Sequence, residues 1–179
     1  LARLGQPVVA VFEVGAEPDA MKTRYGRRTL GMSCLLARRL VQAGSRYVVV
    51  QRGGFDHHGN IGNDLPPAMN EVDQAFAALV ADLDERGLLD RTLVIAMGEF
   101  GRTPQVGTQD SRDGRNHWPV VMSLAMAGGG FRHGQVIGAS ESDGGQIRER
   151  PVTPGDLAAT IYHHMGVPLT TTYEDERGR

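Results

Sequence analysis

The sequence predicts an α/β fold. Two continuous apolar runs, SRYVVVQ over residues 45–51 and TLVIAM over residues 92–97, bracket a stretch with helical periodicity. Runs without polar alternation fit strands covered on both faces, and strand, helix and strand in that order make a βαβ unit with parallel strands and a right-handed crossover. A glycine-flanked polar loop follows each run, GGFDHHGN from Gly53 and GEFGRTP from Gly98. In open α/β sheets ligands bind outside the carboxyl ends of the strands, so both loops are expected to face one crevice.

Residues 1–26 are a lead-in without a firm assignment. PVVAVFEV is compatible with a strand, and GAEPDA reads as a turn broken by Pro18. From Arg27 to Ala43, Leu30, Cys34, Ala37 and Val41 recur at helical spacing, with Arg38 and Arg39 outside that stripe and Gly44 at the C′ position. Cys34 is expected to be buried, as free cysteines usually are. A second helix is expected from Pro67 to Arg86, carrying Val72, Phe76, Leu79, Val80 and Leu83 on one side and stopped by Gly87.

After a polar loop over residues 98–118, VVMSLAMA predicts a third strand. If it runs antiparallel to residues 92–97, His117 at its start lands at the same carboxyl edge. GGG with FRHGQVIG predicts a hairpin turn into a fourth strand. The last helix begins at TPGD, with Thr153 as N-cap, Pro154 at N1 and Asp156 in the first turn. Leu157, Ile161 and Met165 mark its face, and Gly166 and Pro168 end it.

Composition narrows the function classes. The 179 residues, 40% apolar and 22% charged, suffice for one domain or a large part of one. A net charge of −2 with the 19 Lys and Arg scattered along the chain argues against nucleic acid as a partner. Cys34 is the sole cysteine, which rules out an internal disulfide. No apolar stretch approaches the roughly 18 residues needed to span a bilayer. The start at Leu1 and the end in TTTYEDERGR, without a closing element, read as a segment of a longer protein.

Divalent cations are commonly held by carboxylate oxygens and imidazole nitrogens brought together from separate strand-end loops. Asp56, His58, Glu99 and His117 fit that description. The alternative is that Asp56 and Glu99 cap turns while His57 and His58 are solvated. Arg102, Arg112 and Arg115 share the long loop, and a guanidinium suits bidentate recognition of phosphate or sulfate. All three equally suit ion pairs with Asp110 and Asp113, and Arg102, nearest the strand end, is the foremost anion candidate. His133, His163 and His164 read as structural. Thr29 and Ser33 lie in a predicted helix, no nucleophile elbow of the G-x-S-x-G type occurs, and GGG lacks the phosphate-loop pattern.

GGFDHHGN, MGEFGRTP, GRNHWP, AGGGF and PVTPGDLAATIYHHMGV, in this order, resemble an uncharacterised sulfatase-like family of the alkaline phosphatase superfamily. The resemblance runs from RYGRRTLGMSCLLARRLVQAG to the end of the chain. It implies the C-terminal part of an alkaline-phosphatase-like domain, a three-layer αβα fold with a mostly parallel sheet and an antiparallel edge. It further implies an exported or periplasmic protein that hydrolyses or transfers phosphate or sulfate esters with two divalent metals. Asp56 and His58 match the first Asp and His pair, Glu99 the second carboxylate and His117 the last imidazole. Phe100 stands where the second pair has its His, so the set is expected to hold one ion or an altered pair, with Zn, Mn or Ca as the candidates.

In the superfamily the nucleophile and a further metal-binding Asp come from an N-terminal half, which would precede Leu1. No C-x-P-x-R formylglycine motif occurs within the 179 residues. The expectation is therefore the C-terminal half of a metallohydrolase site for an anionic small-molecule or polysaccharide ester, completed by that missing half. Arg102 would steer the anion and His57 would be accessory. The competing expectation is a non-catalytic binding or structural module that keeps the fold with a degenerate metal site. Self-association is also expected, because half a sheet leaves an edge and apolar surface exposed.

Overall fold

The long periodic stretches fold as helices and pack on one another. A computed structural model describes residues 8–108, 110, 112–172 and 174–178. It contains helices α1 Val8–Phe12, α2 Asp19–Tyr25, α3 Thr29–Gln42, α4 Ile61–Glu85 and α5 Pro154–His164. Short strands are β1 Leu93–Met97, β2 Gly101–Arg102, β3 His117–Trp118, β4 Leu124–Gly128, β5 Ala139–Ser140 and β6 Ile147–Glu149. The protein is thus mixed α/β. Among the described residues no helix is long and apolar enough to cross a membrane.

The core begins where α3 meets α4. Leu30, Cys34 and Leu35 of α3 bury against Ala75 and Ala78 of α4 and Tyr25 of α2. Burial pushes the Cys34 thiol up to about 11, so it is an inert core group. A second cluster, Leu83, Leu89 and Val94, joins the end of α4 to β1, with Leu79 partly buried against both. Gly44 and Gly87 act as the sequence predicts. Ser45 N–H donates to Leu40 O and Leu88 N–H to Leu83 O, the long bond of the glycine-terminated helix end in each case.

Arg38 departs from its expected exposure. It is 3% exposed, because the α4 face that it meets carries Asp82, itself 1% exposed. Arg38 Nε lies 2.9 Å from Asp82 Oδ2 and Nη2 lies 2.7 Å from Glu17 Oε1, at ion-pair distance but outside hydrogen-bond angle. The Tyr25 hydroxyl donates to Asp82 Oδ2 at 2.9 Å, and Arg86 Nε donates to Asp82 Oδ1 at 2.7 Å. Burial and the adjacent Asp82 charge push the Tyr25 hydroxyl upward. Burial raises Glu17, yet the Arg39 hydrogen bond and the adjacent Arg38 charge outweigh it and hold the carboxyl below its ordinary range.

The predicted lead-in strand is not formed. Residues 8–12 are helical, a 3-10 turn covers Val14–Ala16, and Pro18 instead precedes α2 as its N-cap; residues 1–7 lie outside the described residues. α4 starts at Ile61 rather than at Pro67, with Pro66 and Pro67 inside it. Both prolines fall within the first two turns, close to the end where missing amide donors cost the helix least.

The βαβ unit is also corrected. Residues 45–51 make no strand, and β1 pairs antiparallel with β4, Leu93 opposite Gly128 and Met97 opposite Leu124. A strand needs a ladder partner as well as an apolar pattern, and among the described residues none pairs with this run. Only Val50 of the run packs on the core, while Tyr47 and Val49 are 67% and 69% exposed. No parallel pairing occurs among the described strands.

The antiparallel alternative for residues 120–127 is the one adopted, and it returns the chain beside the carboxyl end of β1. GGG is not a hairpin turn. Gly129 N–H donates to Leu89 O at 2.9 Å, docking the turn on the 3-10 segment Leu89–Arg91, and residues 131–138 form no strand. α5 follows its predicted start, with Thr153 and Asp156 exchanging both bonds of a capping box. No residue of α5 is buried, and His164 Nε2 accepts the Leu93 N–H at 3.3 Å where β1 begins.

Candidate metal centre

Two loops and one short ribbon converge beyond the carboxyl end of β1. The ribbon is β2 with β3, in which Arg102 stands directly opposite His117 and Gly101 opposite Trp118. Directly opposed residues share a face, so the ribbon fixes Arg102 and His117 as neighbours. Glycine is required at 101, because a Cβ there would meet the Val121 carbonyl oxygen at 1.6 Å. The pairing extends by one residue: Thr103 N–H donates to Asn116 O at 2.8 Å and Asn116 N–H donates to Thr103 Oγ1 at 3.1 Å. Arg115 braces the same ribbon by donating to the carbonyls of Thr103 and Arg102 at 2.5 and 3.0 Å.

The loop of residues 53–60 is laid against this ribbon by its backbone. Arg115 N–H donates to His57 O at 3.0 Å, and Asp113 Oδ1 accepts the Asn60 N–H at 2.8 Å. A Cβ on Gly114 would meet the His58 carbonyl carbon at 2.1 Å, so only glycine permits this approach. Asp113 and Arg115 therefore hold loops together, in place of the expected pairing of Arg115 with an acidic neighbour in its own loop.

Asp56, His58 and His117 form a group able to hold a metal ion, one ligand atom from each lying within 4.8 Å of the others. Asp56 Oδ1 is its centre. His58 Nε2 and His117 Nε2 each lie 2.9 Å from that oxygen, and Arg102 Nη1 donates to it at 2.6 Å. These contacts, the Arg102 bond first and His117 next, hold the Asp56 carboxyl down at about 2.

Asn116 sets the orientation of His58. Its amide nitrogen donates to Thr108 O, which turns its Oδ1 toward His58 Nδ1 at 2.5 Å. A carbonyl-type oxygen accepts only, so Nδ1 carries a proton and Nε2 is the ring nitrogen turned toward Asp56. Two lone-pair atoms at 2.9 Å repel unless His58 is doubly protonated or a cation lies between them.

The predicted residues are not equally assembled. Asp56, His58 and His117 come together, and Arg102 joins them as a direct partner of Asp56. Glu99 is drawn near only through Arg102, whose Nη2 lies 3.5 Å from Glu99 Oε1. His57 contributes no atom to the group; its ring stands edge-on to Phe55 and its buried Nε2 has no hydrogen-bond partner among the described residues. Phe100 packs on His117 with ring centroids 4.5 Å apart.

Asn116 was not singled out from sequence, although it adjoins His117 in GRNHWP, because nothing in linear spacing ties it to His58. An open groove of about 670 Å³ lies elsewhere, lined by Phe76, Val80 and Leu89 among others and by none of the group's residues.

A family model described as Protein of unknown function (DUF1501) matches residues 1–179. The chain belongs to that family. No curated protein and no solved structure matches this DUF1501 chain. Its chemistry is therefore argued from the cluster itself: two imidazoles and a carboxylate, half-exposed, with a guanidinium on the same oxygen.

Proposed function

We propose that this DUF1501 chain is the C-terminal part of a metal-dependent hydrolase site acting on sulfate or phosphate esters, in an alkaline-phosphatase-like domain. The observation that carries the proposal is the pinned His58. Its Nδ1 is committed to Asn116, which directs its Nε2 at the same Asp56 oxygen that His117 Nε2 approaches. A metal-ligating histidine typically donates its other ring nitrogen to such an acceptor, which fixes the tautomer and raises ligand basicity. The donor set of two nitrogens and a carboxylate oxygen fits Zn²⁺ or Mn²⁺, and an all-oxygen preference makes Ca²⁺ the poorest of the three. Bound there, a divalent ion supplies polarisation of an ester oxygen and stabilisation of charge in the transition state.

The protein's own residues supply the rest. Asp56, His58 and His117 are the ligands, Asn116 orients His58, and Arg102 is the cationic partner for an anionic ester. Glu99, one guanidinium away, is the reserve carboxylate. On this reading the nucleophile would come from an N-terminal half of the same protein, as the resemblance implies. Thr103, next to Arg102, is 3% exposed and its hydroxyl donates to Gln105 O, so it is unsuited to attack.

Calorimetric titration with Zn²⁺, Mn²⁺ and Ca²⁺ tests the centre, with uptake expected in the wild-type chain and lost in Asp56→Ala with His117→Ala. The complete gene product, assayed on aryl sulfates and phosphates with and without chelator, tests the chemistry; chelator-insensitive turnover refutes the metal role. A second reading, a non-catalytic module, is favoured by Phe100, which fills with an apolar ring the place of a ligand in the resembled pattern. Absence of uptake, unchanged by the double substitution, is the outcome that selects it.

A further inference from the structure

Arg102 occupies a position that a resident cation needs. The inference that follows rests on the metal-centre reading above. Asp56 Oδ1 meets Arg102 Nη1 at 2.6 Å and the two imidazole nitrogens at 2.9 Å each. A carboxylate has about four lone-pair sites over its two oxygens, so three neighbours saturate one oxygen. The guanidinium is already a cation on that oxygen, and a divalent ion joining both imidazoles must take its place or share it against like-charge repulsion.

Displaced from Asp56, Arg102 stays at the mouth of the centre. Its guanidinium carbon lies over the Phe100 ring, 5.6 Å from the centroid, and β2 anchors its backbone opposite His117. Among the described residues its other acidic neighbour is Glu99, at the long distance of 3.5 Å. A planar fork so released is matched to a tetrahedral oxyanion, which accepts two parallel N–H bonds.

We propose that Arg102 is a cation-released anion clamp: it holds Asp56 in the cation-free chain, and a divalent ion that takes Asp56 Oδ1 frees it to bind a phosphate or sulfate group. The coupling is reciprocal, so the cation raises oxyanion affinity and the oxyanion raises cation affinity by the same factor.

The test is calorimetric titration of the full chain with MnCl₂, followed by inorganic sulfate and, in a separate arm, inorganic phosphate below its precipitation limit. Arg102→Met is expected to bind Mn²⁺ roughly three- to tenfold more tightly than wild type, from loss of a unit charge beside a divalent ion in an exposed site. Wild type is expected to bind sulfate and phosphate at least about tenfold more tightly with Mn²⁺ than without it, within the usual range of coupling between sites. Arg102→Met with Mn²⁺ is expected to lose that gain. Arg102→Gln, which keeps polarity without charge, should behave as Arg102→Met does, and thermal melts of both verify folding.

Equal or weaker Mn²⁺ binding in a folded Arg102→Met chain, with normal uptake by wild type, overturns the clamp and leaves the metal centre standing. Oxyanion binding indifferent to Mn²⁺ overturns it likewise. Absence of uptake by wild type and both variants overturns the metal centre and the clamp together.

Discussion

Asp82→Asn isolates the charge that holds the helical layer together. The substitution keeps the side-chain shape and removes the carboxylate that faces Arg38 at 2.9 Å and accepts from Tyr25 and Arg86 at 2.9 and 2.7 Å. Arg38 and Asp82 are 3% and 1% exposed, so neither is rehydrated when the pair is broken. Breaking a buried pair by removing one partner costs about 3–5 kcal/mol. Glu17 remains 2.7 Å from Arg38, which places the expected loss at the lower end, about 3 kcal/mol. At a slope of about 2 kcal/mol/M the urea midpoint falls by roughly 1.5 M, and the melting midpoint falls by about 6–12 °C. Far-UV circular dichroism at pH 7, with reversibility checked by refolding, reads both. Glu85→Gln is the control: its bidentate bonds from Arg24, 2.7 Å each, lie at the surface, and its loss should stay at or below about 1 kcal/mol. A loss below about 1 kcal/mol in Asp82→Asn refutes the account, since surface pairs already reach that value.

Two further predictions concern the centre. Asn116→Ala, which removes the acceptor of His58 Nδ1, should weaken Mn²⁺ or Zn²⁺ binding about 10- to 100-fold by calorimetry in a chain shown to remain folded; undiminished affinity would show that His58 needs no orienting partner. Asp56 has its carboxyl lowered from 3.8 to about 2, so its contacts are complete above the ordinary value and are lost as pH falls through the lowered one. An NMR titration of the Asp56 carboxyl carbon should therefore show a midpoint near 2, and a midpoint near 3.8 would show that Arg102 and His117 do not engage it in solution.

Helices α3, α4 and α5 were legible in the sequence because one local period settles them, and the C-terminal glycines at 44, 87 and 166 supply stops that need no tertiary context, whereas the short α1 and α2 fall in a lead-in that reads as a strand and a turn. The run of residues 45–51 was not legible in the same way. Val48, Val49 and Val50 carry strand propensity, but a strand exists only when another segment supplies its ladder, and a run of consecutive valines says nothing about where that partner lies. Arg38 shows the same limit for charge: its burial is decided by Asp82, 44 positions later in the sequence. Within the centre, residue types in the two glycine-rich loops pointed to Asp56, His58 and His117, which the fold brings together. The register that sets Arg102 opposite His117 and the bond from His58 to Asn116 depend on how the ribbon closes, which no spacing encodes.

Exposure separates the two charged assemblies by purpose. The Arg38, Asp82 and Glu17 group is sealed in the helical layer and neutralised by the protein itself, as a structural assembly must be to offset desolvation. The Asp56 group is the reverse: its side chains are 61%, 46% and 49% exposed for Asp56, His58 and His117. Structural zinc sites are closed by four protein ligands, whereas catalytic sites use three and leave a position open. Under the proposed function, the three assembled side chains and their access to solvent would match the second kind. A cation bound there, as proposed, would be an exchangeable participant rather than a staple of the fold, since the hydrophobic clusters and the buried ion network lie in other elements than Asp56, His58 and His117.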